Sequence, residues 1–212
     1  MRVLERLQHQ TAAGRQTLGA KTIGAGSNTS YAVGGTPTIT ALKPKYGPVV
    51  GGTQVLITGT NFTGVSEIDF GTAPATGFTI LSPTKILAET PAVTHAGFVE
   101  IPMVNDWTTG RALSTFTGGL FRYTPVVTGV SPNSGPAAGG TTVTVTGAGF
   151  YEGKKGTKFK FGSTRAASVN CTSTTSCTVT APAHAAETVD VRALAGLQQS
   201  AKNPPFDQFT YK

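Results

Sequence analysis

The residues able to do chemistry are few and scattered along the chain. Three histidines, His9, His95 and His184, serve 212 residues. No two of them have the spacing of a metal pair. The ten acidic residues form no paired cluster, and Asp69 and Glu100 alternate with apolar neighbours, as outward strand positions do. No nucleophile elbow, P-loop, HExxH or calcium-loop spacing occurs. The repeated Gly-Gly-Thr suggests a phosphate cradle at first sight, but each copy precedes a strand, whereas anion cradles precede helices. The chain therefore reads as a non-enzyme with no catalytic residues, metal site or cofactor.

Cys171 and Cys177 flank the turn-like stretch TSTTS. With no histidine nearby they lack a four-ligand metal set. Two readings stand side by side: a cross-strand disulfide closing a very short loop, or two buried thiols packing as small hydrophobes. An extracellular destination favours the first, while synthesis in the cytoplasm delays it.

Seventeen basic against ten acidic residues give a net charge of +7. The first 35 residues carry +3, residues 36–124 are neutral, and residues 125–212 carry +4. Much of the last excess sits in EGKKGTKFKFGSTR, as Lys154, Lys155, Lys158, Lys160 and Arg165. A basic hairpin attracts nucleic acid electrostatically. A solubilising loop or a contact with an acidic protein surface is the favoured reading. Nucleic acid is not an expected partner. No apolar run approaches the ~20 residues of a membrane span. Charges at Arg2, Glu5 and Arg6 interrupt the apolar core that a signal peptide needs, so export by that route is not expected.

The elements that must position these residues announce themselves by repetition. GPVVGGTQVLITGTNF at 47–62 returns as GPAAGGTTVTVTGAGF at 135–150. Further along, EIDFG answers KFKFG, and FVEIPMV answers TVDVRAL. Within each copy Val55/Ile57 and Val143/Val145 alternate with polar residues, the period of a half-buried strand. Gly-Gly before each strand supplies the positive φ angles of a tight turn. In this alignment Cys171 and Cys177 fall on Ile80 and Ile86, which suggests inward side chains on adjacent strands. Turn signals every 8–12 residues, and no helical periodicity, predict about seven short strands per copy.

The Pro-then-Gly openings ALKPKYGPVVGGT and GVSPNSGPAAGGT, the hxhxGxxF strand, the hxFG strand and the late TPA or APA together resemble IPT/TIG domains. That resemblance covers residues 37–212 and implies an all-β fold of two tandem immunoglobulin-like sandwiches; it implies no activity. The expected boundaries are an arm at 1–35, a first domain at 36–124 and a second at 125–212. The join TPVV leaves almost no linker, so a stiff rod is expected.

The arm matches neither sandwich. VLERLQ is expected to form one or two helical turns with Val3, Leu4 and Leu7 on one side. The rest is small, polar and glycine-rich, too poor in apolar residues for a core. Leu18, Ile23 and Tyr31 are its spaced anchors, docking by extended β-addition to a partner sheet. Domains of this kind occur in phage virion and bacterial surface proteins. The resulting expectation is a virion structural protein of a tailed bacteriophage, made in the host cytoplasm. Its leading form is a capsid decoration protein, multicopy on a symmetric shell and docked on the major capsid or another virion protein. A tail or fibre component is the neighbouring version, and a bacterial carbohydrate-binding or adhesion module the alternative. Tyr46 and Trp107 are the candidate surface contacts for host glycans.

Overall fold

A computed structural model of the chain describes residues 35–105, 119–153 and 156–212, with the backbone alone of short strands at 4–5, 8–11, 14–17, 21–22, 112–113 and 115–116. No helix occurs among the described residues. Leu4–Glu5 is a short strand paired with Lys21–Thr22, not the helical turn expected there. Val3, Leu7, Leu18, Ile23 and Tyr31 lie outside the described residues.

The strands are β1 Thr38–Lys43, β2 Tyr46–Pro48, β3 Gln54–Thr60, β4 Val65–Phe70, β5 Gly77–Ser82, β6 Lys85–Glu89, β7 Gly97–Val99, β8 Met103–Asn105 and β9 Phe121–Thr124 in the first repeat. The second repeat supplies β10 Val126–Ser131, β11 Ser134–Gly135, β12 Thr142–Ala148, β13 Thr157–Phe161, β14 Ser168–Cys171, β15 Ser176–Thr180, β16 Thr188–Ala195, β17 Gln198–Gln199 and β18 Gln208–Tyr211. By contacts the chain divides into two compact units. One takes in residues up to Lys45, 52–91 and 100–121; the other takes in 46–51, 92–99 and 122–212.

In the first unit the sheet order is β5-β6-β3-β1 with Thr115–Phe116 added in parallel, and β8 pairs β4 in a second sheet. The two sheets send Val55 and Ile57 of β3, and Ile68 and Phe70 of β4, into one core. Phe70 meets Phe121 edge to face at 5.3 Å. The alternation read from the sequence is thus the alternation of burial: β3 runs exposed, buried, half-buried, buried. One stretch departs from it. FVEIPMV is not a single alternating strand but two short ones, and Phe98 is 52% exposed. Pro102 has no N–H to donate to a ladder, and the carbonyls of Glu100 and Pro102 instead accept from Gly71 and Asp69.

In the second unit one sheet has the order β10-β12-β15-β14, and the larger has β11-β18-β16-β13 followed by the short strand Thr164–Arg165, with β17 folded back on β16. A third, three-stranded sheet has the order β7-β9-β2. The core is aromatic: Phe161 packs edge-on against Phe209 at 5.2 Å, and Phe150 against Phe159 at 5.4 Å. Fully burying each such ring contributes about 1.5–3 kcal/mol.

The geometry explains the shared hxhxGxxF motif. A Cβ at Gly59 would stand 1.8 Å from the Thr38 carbonyl oxygen and 2.6 Å from the Phe62 ring. At Gly147 the same distances are 2.0 Å to Val126 O and 2.5 Å to Phe150. Each glycine lies at a register shift in the partner strand, between Ile39 and Ala41 or between Val127 and Gly129. The bulge pushes a carbonyl toward the facing residue while the Phe three positions on closes over it. Only glycine fits.

Candidate binding surface

Among the described residues the chemistry-bearing side chains do not converge on one cluster. Among the described residues no group of three or more His, Cys, Asp or Glu is placed to hold a metal ion. His95 is exposed, its Nδ1 2.9 Å from Thr94 Oγ1, and stacks at 5.5 Å on Tyr151, whose hydroxyl donates to Ala96 O at 2.6 Å. His184 is not the solvated loop residue its position suggests. Its ring stacks on Tyr211 at 5.1 Å, with Nδ1 3.4 Å from a Glu187 carboxylate oxygen. Burial holds the Tyr211 phenol above its ordinary pKa.

Cys171 and Cys177 are joined as a disulfide. They are register partners across β14 and β15, as Ile80 and Ile86 are across β5 and β6. Trp107, Lys154 and Lys155 lie outside the described residues. Tyr46 is 56% exposed, and the Arg122 guanidinium lies over its ring, 5.1 Å from the centroid. The parallel pairing of β9 with β2 sets Arg122 directly beside Tyr46, which makes the stack possible.

That stacked pair lines an open cleft of about 510 Å³ together with Thr124, Arg192, Leu197 and Gln199. All of the lining belongs to the second unit. The size is within the ordinary range for small-ligand sites. Arg192 is oriented by the Ser200 carbonyl, which accepts from Nε at 2.9 Å and also from Nη2. Leu197, at the β16–β17 turn, is 84% exposed. The lining holds two guanidiniums and no carboxylate.

Arg192 also belongs to a row. Arg165 is the register partner of Lys160, and Lys160 that of Arg192. All three point away from the core, since Phe159 and Phe161 flank Lys160, and Val191 and Ala193 flank Arg192, on the buried face. Asp190 shares that outward face but pairs with Lys202 at 2.6 Å. Close by, Asp207 is buried: its Oδ2 accepts from Asn203 N at 2.8 Å, while Oδ1 has no hydrogen-bond partner. Burial, aided by the charge of Asp190, raises its pKa.

The sequence named Tyr46 as a candidate contact, and Lys160 and Arg165 only as part of the basic excess of their hairpin; it did not single out Arg122, Arg192, Leu197 or Gln199. Arg192 carried one local signal, an alternating position in TVDVRAL that marks it as outward. What it faces depends on strand register.

The sequence model of the IPT/TIG domain matches residues 37–123 and again 125–211. Human fibrocystin-L is 33% identical over 116 residues, covering 52% of this chain and 3% of that protein. Among solved structures, the full extracellular region of plexin A4 is similar over 90% of this chain and 20% of its own, at 20% identity and a TM-score of 0.38. A surface glycan-binding protein from Prevotella bryantii is similar over 80% of this chain and 42% of its own, at 17% identity and a TM-score of 0.40.

Proposed function

The chain belongs to the IPT/TIG domain family, which it carries in two tandem copies, and from that premise we propose a non-enzymatic interaction protein displayed on the surface of a larger extracellular assembly. The observation that carries this reading is one sandwich built twice behind a leader that shares neither its composition nor its pattern. Duplicating a core extends reach without adding a new kind of site, which suits a protein held at one end. The Cys171–Cys177 disulfide is compatible with work in an oxidising exterior.

In its specific form the proposal is a capsid decoration protein of a tailed bacteriophage. The leader docks on the major capsid protein through Leu18, Ile23 and Tyr31, and the sandwiches face outward. The test is co-sedimentation of the full chain with purified capsids lacking it. Wild type is expected to pellet with the shell, and the Leu18→Asp, Ile23→Asp, Tyr31→Asp triple variant to remain in the supernatant. Equal incorporation of the two removes the proposal.

A second reading, a cell-surface adhesion module that binds saccharides, is favoured by the exposed Tyr46 ring at the cleft. Saturable binding on a glycan array, lost in Tyr46→Ala, would select it over the first.

A further inference from the structure

Three cations stand directly opposite one another across the larger sheet of the second unit, in the order Arg165, Lys160, Arg192. Adjacent strands are about 4.8 Å apart, and like charges facing each other at that spacing destabilise a sheet. Arg192 is tied to the fold through the Ser200 carbonyl, but among the described residues none of the fold's own side-chain bonding engages Lys160 or Arg165 against the repulsion. The one carboxylate on the same strand face, Asp190, is already engaged by Lys202. At its Arg192 end the row runs into the cleft, where Arg122 adds a fourth cation stacked on Tyr46.

We propose that the row and the cleft form one docking site for an extended acidic segment of a protein partner, with its carboxylates on Arg165, Lys160 and Arg192 and an apolar side chain against Leu197 and Tyr46. Charge complementarity sets the sign of the partner. Guanidiniums and ammoniums are donors only, so the matching ligand is rich in acceptors, as Asp and Glu side chains are. Saccharide hydroxyls also need acceptors, and the lining offers few beyond Gln199 and Thr124. A phosphate backbone would use the cations but would leave the 84% exposed Leu197 without a role. Tyr and Arg, both present in the lining, are among the residue types enriched in protein–protein hot spots.

The experiment measures binding of a fluorescent peptide of alternating Glu and Leu to the full-length protein by anisotropy, with a Lys-Leu peptide, duplex DNA and polygalacturonate as parallel probes. The Glu-Leu peptide is expected to bind saturably and to be released at about 0.5 M salt, where screening extends only a few ångströms. Lys160→Gln with Arg165→Gln is expected to weaken it about tenfold or more, the cost of two charge-assisted contacts. Thermal unfolding of that variant should be unchanged or higher, which separates lost recognition from lost folding. Arg192→Gln also removes the bonds to Ser200 O, so the exposed pair carries the test. No binding of the Glu-Leu peptide, tighter retention on DNA or polygalacturonate, or unaltered affinity in the double variant would each overturn the proposal. The leader triple variant should bind the peptide as wild type does, so this inference and capsid docking fail separately.

Discussion

Cys171 lies directly opposite Cys177 in the β14–β15 pair, the register position that Ile80 and Ile86 occupy in the first repeat. One fold thus closes the same place covalently in one copy and by apolar packing in the other. The loop spans a sequence separation of six, for which the chain-entropy account gives about 2 kcal/mol. Reduction is expected to lower the urea midpoint of the second repeat. The double variant Cys171→Ile, Cys177→Ile should fold and lose its response to reductant. A wild-type midpoint indifferent to reductant would contradict this.

Gly147 faces Val126 O at a distance that leaves no room for a Cβ. Gly147→Ala must push back either the bulged strand or the Phe150 ring, an overpacking expected to cost about 3 kcal/mol. Gly59→Ala should behave likewise in the first repeat. Gly140→Ala is a useful contrast: its Cβ would meet nothing within 4 Å, although its φ of 84° is unfavourable for a side chain. Its cost should be smaller, about 1 kcal/mol. Denaturant unfolding of the three variants checks the order.

Asp207 holds its proton more tightly in the folded state than the ordinary carboxylate pKa of 3.8 implies, chiefly through burial. A group raised on folding contributes stability that is complete below its unfolded pKa and is lost as pH rises through the folded one. The wild type should therefore lose stability relative to Asp207→Asn as pH rises from the ordinary value of 3.8 through the raised folded-state one. Unfolding midpoints of the two proteins compared across that range provide the check. A gap that moves in the opposite direction would refute the assignment.

Lys160 is flanked by Arg165 on one side and Arg192 on the other. Lys160→Glu converts two repulsive cross-strand pairs into two attractive ones, each worth a few tenths of a kcal/mol to about 1. The variant should melt higher than wild type while losing the acidic peptide. A lower melting temperature would mean that the row is not repulsive in the folded protein.

The all-β fold, the two repeats and the inward positions Val55, Ile57, Val143 and Val145 were legible in the sequence, because alternation is a local property that a strand of any register must obey. So was the need for Gly-Gly before β3 and β12: φ values of 79°, 76°, 79° and 84° are open to glycine and costly for other residues. The repeat marked the two cysteines as inward on adjacent strands, because they fall on Ile80 and Ile86, but it left open whether they are bonded; the cross-strand register decides for the disulfide. The row Arg165, Lys160, Arg192 was not legible. Lys160 and Arg165 share one basic hairpin, but Arg192 lies far along the chain, and only the register of β16 against β13 makes it the neighbour of Lys160. The same holds for the loop residue His184, whose ring is stacked on Tyr211 only because the final strand lies beneath that loop. Local pattern says which side of a strand a residue faces; which other residues share that side is decided when the strands pair.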